Sequence, residues 1–275
     1  MTAPPMELRF AAHGLTLALR TDSEALDQVG PEVSSWRLPP GWKPDPEPHD
    51  QVAATYRLDV DRSSDRPWSF DLYVDAERVA TGADASAAVR AFLDHAERLV
   101  AERSPAFLFV HAGVVAWKGH AVLMPGPSLA GKTTLVRAFL EAGATYYSDE
   151  YAVLDRSGRV HPYPRPLRIR GRHGAPMRRV SAEALDAPIG RDPLLPTLVL
   201  ATSYRPGVHW RPARLSRARA LLALMDNAVA ARGDPGHSMP ILRNVVSRAR
   251  TLAGPRGEAP ALVADVASRL GEGRA

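Results

Sequence analysis

The residues most suggestive of chemistry lie in a glycine-containing loop near the middle of the chain. Residues 126–133 read Gly-Pro-Ser-Leu-Ala-Gly-Lys-Thr, which matches the Walker A pattern G-x-x-x-x-G-K-[ST] throughout. Glycines let such a loop fold around phosphate oxygens with its backbone N–H groups turned inward. The N-terminus of a following helix adds partial positive charge. The pattern therefore predicts a site for the phosphates of a nucleotide.

Within this loop, two side chains have defined expected roles. We expect Lys132 to reach the β- and γ-phosphates of ATP and the Thr133 hydroxyl to bind Mg²⁺. Only three of the 35 Lys and Arg residues are lysines, so a chance lysine at position 132 is less expected than usual. The alternative is a glycine-rich turn with a solvated lysine. The other predicted nucleotide-binding positions of the loop are Gly126, Pro127, Ser128, Leu129, Ala130, Gly131 and Thr134.

An acidic pair, Asp149 and Glu150, follows Lys132 by 17 residues. One helix and one short strand fit in that interval. If this strand neighbours the strand before the loop, both carboxylates face the bound phosphates. An acid there can orient a substrate hydroxyl, accept its proton or hold Mg²⁺. The alternatives are a turn or N-cap acid at Asp149 and a surface acid at Glu150.

Arginines are concentrated after the acidic pair. Residues 156–179 contain eight arginines and no acid, a basic field that suits an anionic ligand. Arg168 and Arg170 alternate with apolar residues, as on a strand with one polar face. Either could supply a second cation to a transferred phosphoryl group; the alternative is an exposed charge on an edge strand.

The elements that must position these residues can be read from periodicity. Strand patterns cover 107–110, 114–117 and 121–124, with a tight turn at 118–120 before the loop. Helical spacing follows over 134–142, with Gly143 as its natural end. Strands are predicted at 144–147, 151–154 and 194–201, and helices at 216–231 and 259–270.

The first hundred residues predict a small α+β unit without a cluster of chemically active side chains. Strand patterns cover 8–19, 54–60 and 68–74, and five prolines make 38–50 a loop. An amphipathic helix is predicted over 83–102, with Asp84 as its N-cap. We therefore place a domain boundary between residues 104 and 105, giving units 1–104 and 105–275.

From His111 to Asp155 the chain resembles the catalytic domain of HPr kinase/phosphorylase and its relatives. Those proteins share a His-Gly-like start, a two-stranded turn, a P-loop, one helix and an acidic pair, in this order and spacing. The resemblance implies a catalytic role for His111, a general base at Asp149, a catalytic P-loop lysine at Lys132, and metal binding by Thr133 and Glu150. The chain differs from the family at Thr134, where an acid is usual, and at Glu150, where an aspartate is usual.

The resemblance implies a fold class and an activity. The fold would be α/β, a P-loop kinase domain of the HPr kinase type whose mixed sheet is flanked by helices, preceded by the small α+β region. The activity would be transfer of the γ-phosphoryl group of ATP, with Mg²⁺, to a serine hydroxyl of a peptide, protein or small molecule. The alternatives are a nucleotide-binding regulatory module and an ATPase that needs no acceptor. No guanine-reading N-K-x-D and no ABC-type signature is present, so a GTPase and an ABC ATPase are not expected.

Composition and charge exclude other classes. With no cysteine, disulfides, thiol nucleophiles and Cys-based metal sites are excluded. No run of about 18 apolar residues occurs and the N-terminus lacks a signal-peptide pattern, so we expect a cytoplasmic protein without a membrane partner. The net charge of +5 combines −7 over residues 1–100 with +12 over 151–275. Nucleic acid is not an expected partner, because no binding motif accompanies the arginines; a homo-oligomer is left open.

Overall fold

The computed structural model describes residues 6–22, 38–45, 51–61, 69–169 and 177–272. The chain divides into two compact units, Met1–Ala106 and Phe107–Ala275. The boundary predicted from the sequence lies close to this division. Arg170, one of the predicted phosphate-binding arginines, lies outside the described residues.

The described part of the first unit is one sheet with one helix. Phe92 of the helix meets Tyr56 of the sheet edge-on, with ring centroids 5.0 Å apart. Along the sheet the order is β3-β1-β2-β4-β5-β6, and all neighbours are antiparallel except β2 and β4. The elements are β1 (Met6–Ala12), β2 (Leu15–Thr21), β3 (Trp42–Pro44), β4 (Ala54–Asp61), β5 (Ser69–Val74), β6 (Glu77–Gly82) and α1 (Ala85–Arg103).

The elements observed in the first unit differ from the predicted ones at two places. The Asp84 carboxylate accepts the Ala87 N–H at 2.7 Å, which confirms the N-cap of the predicted helix. Segment 8–19 forms two strands rather than one, because His13 and Gly14 both adopt positive φ and turn the chain. The proline-rich loop contains the short strand β3, which pairs with β1.

The second unit is built on a mixed sheet of eight strands among the described residues. Its order is β11-β10-β7-β8-β14-β16-β15, and β9 also pairs with β7. Strand β14 runs parallel to β8 and β16, whereas the other pairs are antiparallel. The strands are β7 (Phe107–Trp117), β8 (His120–Pro125), β9 (Thr145–Ser148), β10 (Tyr151–Asp155), β11 (Val160–His161), β14 (Pro196–Tyr204), β15 (Ala213–Arg214) and β16 (Arg250–Arg256). A separate ribbon pairs β12 (Leu167–Ile169) with β13 (Arg178–Val180).

Helices cover both faces of the larger sheet. They are α2 (Lys132–Glu141), α3 (Arg217–Met225), α4 (Pro235–Arg248) and α5 (Ala259–Glu272), with a short 3-10 turn at Glu183–Leu185. Successive strand residues point to opposite faces. In β8, Val122 and Met124 pack in the core with α2 and α5, whereas Leu123 packs in the core with α3 and α4. The fold is therefore mixed α/β with mixed sheets flanked by helices, as predicted. None of the helices in the described ranges has the length and apolar character needed to span a bilayer.

Strand β7 corrects two predictions. The runs 107–110 and 114–117 form one continuous strand, so His111 lies within a strand and not at its end. The acidic pair was expected on a strand beside β8, but β7 lies between β8 and β9. Both β8 and β9 are antiparallel to β7, so they run parallel to each other and end at the same edge of the sheet. The acids therefore still reach the end of the sheet at which the P-loop begins.

Other differences arise in the C-terminal part. The helix predicted over 216–231 ends at Met225, because the following residues bond to β7: the Asn227 carbonyl accepts the His111 N–H at 2.8 Å. Helix α4 was not predicted, since Pro235, Gly236 and Pro240 read as breakers. Strand β16 was missed because Gly254 and Pro255 interrupt its pattern. Both depend on packing against the sheet.

Gly113 of β7 permits the close approach of the P-loop helix. A Cβ atom there would lie 2.5 Å from Cγ2 of Val136 in α2. We expect Gly113→Ala to lower the free energy of unfolding by about 1–3 kcal/mol, because the core must be overpacked. Gly236→Ala is the control: its Cβ meets only an ordinary contact at 3.5 Å, and we expect about 0.4–1 kcal/mol of stabilisation. Equal urea midpoints for the two variants would contradict this account.

Candidate functional site

The loop between β8 and α2 has the backbone shape that a phosphate cradle requires. Leu129 and Gly131 adopt positive φ of 72° and 83°, and the Ala130 N–H bonds to the Pro127 carbonyl at 3.2 Å. Helix α2 begins at Lys132 with Gly131 as its N-cap, so no side chain caps its first turn. The first N–H groups of a helix have no partner within the helix. An anion at this point would satisfy them.

The Lys132 side chain bonds to the backbone at the start of its own loop. Its Nζ donates to the Gly126 carbonyl at 2.8 Å and to the Pro127 carbonyl at 3.0 Å. Burial lowers the pKa of Lys132, whereas Glu150 and Asp149 act in the opposite direction. The ammonium is therefore held at the loop by neutral carbonyls, which an anionic phosphate can replace as a stronger partner.

Asp149 is a buried carboxylate tied to the P-loop helix. It is 5% exposed; Oδ2 accepts the Thr133 hydroxyl at 2.9 Å, and Oδ1 lies 3.0 Å from the Tyr146 hydroxyl. The backbone N–H of Arg168 also donates to it. Burial raises the pKa of Asp149 and Glu150 adds to the effect, whereas the bonds from Thr133, Tyr146 and the Arg168 amide oppose it. Asp149 thus has the restricted geometry and raised basicity expected of a general base.

The bend between β9 and β10 explains why Asp149 turns toward the loop. Ser148 is buried, and its Oγ accepts the N–H groups of Glu150 at 3.2 Å and of Tyr151 at 3.0 Å. Such side-chain bonds to the backbone stabilise a local turn. The turn ends β9 and leaves the next two acids at the edge of the sheet where β8 gives way to the loop.

Tyr146 is a site residue that the sequence reading did not single out. Its hydroxyl is buried and lies 3.0 Å from Asp149 Oδ1 and 2.7 Å from the Arg165 carbonyl. A hydroxyl has one proton to donate, so these two acceptors share it. The signal available was a polar tip on a buried strand residue three positions before the acid. Tyr146 fixes the orientation of the Asp149 carboxylate.

We expect Tyr146→Phe to lower the rate of any reaction in which Asp149 takes a proton by about tenfold. Loss of a hydrogen bond to a charged group costs about 1.5–3 kcal/mol, part of which falls on the reactive geometry. Tyr147→Phe is a matched control, because that buried hydroxyl donates at 2.9 Å to the Asp192 carbonyl instead. Steady-state rates of both variants test the assignment; an equal loss in Tyr147→Phe would contradict it.

His111 and Glu150 lie next to the loop but do not form a hydrogen bond. His111 Nδ1 is 4.0 Å from Glu150 Oε1 and has no hydrogen-bond partner among the described residues. Burial lowers the pKa of His111; Glu150 opposes this effect and Lys132 adds to it. The His111 carbonyl accepts the Gly126 N–H at 3.1 Å, so its backbone is tied to the start of the loop. The imidazole is therefore held near the start of the loop, with one buried ring nitrogen that has no hydrogen-bond partner among the described residues.

A cleft of about 410 Å³ opens where these groups meet, within the range of small-molecule sites. Three residues that the sequence analysis did not name, Arg137, Ile169 and Met177, also line it. The described residues that line this cleft do not include His111, Gly126, Pro127 or Ala130. Of the predicted residues, those that line it are Ser128, Leu129, Gly131, Lys132, Thr133, Thr134, Asp149, Glu150 and Arg168.

The oxygen atoms at the cleft suit a magnesium ion most of whose ligands are water and phosphate oxygens. Among the described residues, no group of three His, Asp or Glu side chains could hold a metal. Mg²⁺ is commonly bound by only one or two protein oxygens together with substrate phosphates. The structure places the predicted ligand Thr133 against Asp149 rather than Glu150. The fit to Mg²⁺–ATP depends on hydroxyl and carboxylate oxygens beside a helix N-terminus, and those are present.

Comparison with known proteins adds no assignment. No protein-family model matches the chain, and no curated protein matches it. The geometry of the cleft is therefore the basis on which a function is proposed.

Proposed function

We propose that this protein is an ATP-dependent phosphotransferase with a P-loop kinase domain of the HPr kinase type, and that it phosphorylates a serine hydroxyl of a peptide, protein or small molecule. The observation that carries the proposal is the hydrogen bond between the buried Asp149 carboxylate and Thr133 of the P-loop helix. It joins a candidate base to a phosphate-binding loop within one cleft.

Each group then has a task in positioning and neutralisation, which dominate phosphoryl transfer. Lys132 and the loop N–H groups would hold the phosphates. Thr133 and Glu150 would hold Mg²⁺. The ion would neutralise part of the charge on the phosphates of ATP, which supplies the phosphoryl group. Asp149 would accept the acceptor's hydroxyl proton as the new O–P bond forms and the bond to the β-phosphate oxygen breaks.

Two other residues would support the reaction. The exposed Arg168 side chain lies at the cleft, and the backbone N–H of the same residue bonds to Asp149. Its guanidinium would be the second cation, after Lys132, that faces the transferred phosphoryl group. In the part of the chain that the structure describes, His111 Nδ1 has no hydrogen-bond partner, and it lies 4.0 Å from Glu150 Oε1, close enough to orient that carboxylate after a small movement. Neither role requires a covalent intermediate on the protein.

The experiment is transfer of label from γ-³²P-ATP with Mg²⁺ to candidate acceptors, beginning with peptides and proteins encoded beside this gene. A labelled acceptor is the expected result. Release of labelled phosphate at the same rate without any acceptor would instead identify an ATPase. ATP binding with neither product, for every acceptor tried, would identify a nucleotide-binding regulatory module and contradict the proposal.

A further inference from the structure

Arg256, at the end of β16, is a buried cation behind the P-loop. It is 2% exposed, and arginine is almost never fully buried unless it is paired. Its Nη1 donates to the Gly257 carbonyl at 3.0 Å and its Nη2 to the Gly131 carbonyl at 3.1 Å. Its Nε is buried with no hydrogen-bond partner among the described residues. This guanidinium is thus bound mainly by backbone, and part of it is unsatisfied.

The nearest compensating groups do not form an ion pair with it. The Arg256 guanidinium carbon lies 5.5 Å from the centre of the Tyr204 ring. The carboxylate of Glu258 accepts the Tyr204 hydroxyl at 2.7 Å, and no salt bridge joins it to Arg256 in the described part of the chain. The charge is therefore buried without a directly paired carboxylate, an arrangement that costs stability.

Its position relative to α2 adds to this cost. The Gly131 carbonyl accepts two donors, the Leu135 N–H of the first helical turn at 3.0 Å and the Arg256 guanidinium. A cation at a helix N-terminus opposes the helix dipole, whereas an anion there is stabilised. Arg256 therefore adds positive potential at the point where α2 already attracts anions.

The contact also fixes the direction of one peptide unit. In a trans peptide the carbonyl and the following N–H point in opposite directions. Because the Gly131 carbonyl is held toward Arg256, the Lys132 N–H must point away from Arg256. At Gly131, φ is 83°, a conformation that favours glycine, and a Cβ atom there would lie 2.8 Å from Arg256 Nη2, which would have to shift away.

Sheet topology explains how a residue 125 positions away reaches the loop. Strands β8, β14 and β16 are parallel in succession, so the carboxyl ends of β8 and β16 lie at the same edge. Ligand-binding residues in open α/β sheets gather at this edge. Arg256 is the last residue of β16, and the P-loop follows the last residue of β8.

From these contacts we infer that Arg256 is a positioning residue of the nucleotide site: it holds the Gly131–Lys132 peptide in the anion-binding orientation and adds positive potential behind the phosphates. It acts through the loop and need not touch the nucleotide. The inference rests on one part of the proposed function, namely that the loop binds ATP. A purely structural arginine would instead stabilise the fold without affecting nucleotide affinity.

The test compares Arg256→Met with Arg248→Met. Arg248 also donates to two backbone carbonyls, Ser157 at 3.2 Å and Asn244 at 3.2 Å, but lies on α4 on the other face of the sheet. By calorimetry with Mg²⁺–ATP, Arg256→Met should weaken binding about tenfold or more, as loss of a hydrogen bond from a charged group implies. Its urea midpoint should not fall, since apolar replacement of a buried charge is often neutral or stabilising. Arg248→Met should bind ATP as the wild type does.

A second measurement needs no nucleotide. Amide hydrogen exchange at Leu135, whose N–H bonds to the Gly131 carbonyl at 3.0 Å, should become faster in unliganded Arg256→Met. Unchanged ATP affinity in Arg256→Met overturns the inference. If that variant fails to fold, Arg256→Lys decides: it keeps the charge but lacks the two-nitrogen fork that bonds the Gly257 and Gly131 carbonyls, so wild-type affinity there overturns the positioning role. Absence of ATP binding by the wild type would refute the proposed function instead, and the exchange measurement would still test the role of Arg256.

Discussion

Asp149→Asn is expected to slow phosphoryl transfer by about 10²–10⁴-fold, the usual contribution of a positioned general base. Asparagine has nearly the same shape as aspartate and can still accept the Thr133 hydroxyl, which now lies 2.9 Å from Oδ2. It cannot take up the acceptor's proton. ATP affinity should change little, because the loop and Lys132 remain in place. Single-turnover transfer and ATP calorimetry on the same preparation separate the two effects.

Asp155→Asn is the control for this substitution. Asp155 ends β10, and its carboxylate bonds locally to Ser157 at 2.7 Å and to His161 at 3.0 Å. The same chemical change there should leave the transfer rate within about twofold, since changes distant from the reacting groups do not alter transition-state binding. Transfer by Asp149→Asn at the wild-type rate would show that Asp149 is not the base.

Lys132→Met is expected to weaken ATP binding by about 10–100-fold, because it removes a charge-assisted hydrogen bond worth about 1.5–3 kcal/mol. Methionine keeps the apolar stem, so packing at the start of α2 should persist. The Gly126 and Pro127 carbonyls lose a donor, which water can replace at the exposed Pro127. Calorimetry with Mg²⁺–ATP measures the loss, and the transfer rate at saturating ATP should fall as well.

Lys118→Met provides a matched control on another lysine. Lys118 is exposed at the turn before β8, with Nζ 4.8 Å from the Trp117 ring centre. We expect its ATP affinity to equal that of the wild type, because surface substitutions of this kind have small effects. Equal affinities for Lys132→Met and the wild type would exclude Lys132 from phosphate binding and leave the loop as a structural turn.

Much of the larger unit could be predicted because its signals are local. The apolar run in β8, the helical spacing after Lys132 and the turn at Lys118 and Gly119 each involve neighbours in the chain. The elements that were missed depend on distant contacts. Helix α4 contains Pro240 and begins at Pro235, yet its apolar face packs on the sheet and outweighs those breakers. Strand β16 tolerates Gly254 and Pro255 because β14 pairs along its length.

The candidate site also contains residues that local spacing predicted and residues that only distant contacts reveal. Spacing alone placed the Asp149–Glu150 pair one helix and one strand after the P-loop, and the structure brings Asp149 to Thr133. The expectation that the strand before the acids lies directly beside β8 was wrong, because β7 lies between β8 and β9. Tyr146 could not be singled out, because a tyrosine in a strand is usually core. What made it a site residue is its hydroxyl, 3.0 Å from Asp149 Oδ1, and not its position in the strand pattern.

The amino-acid sequence by itself determined which groups stand together in the loop 126–133: its glycines, Lys132 and the Thr133 hydroxyl are close along the chain, so local backbone geometry suffices to assemble them. Only the tertiary structure decided which other groups join them. Arg256 reaches the Gly131 carbonyl across 125 positions because two parallel strand ends share an edge of the sheet. Such a contact depends on strand order, which no local spacing encodes, and a buried charge without an ion-pair partner is visible only once burial is known.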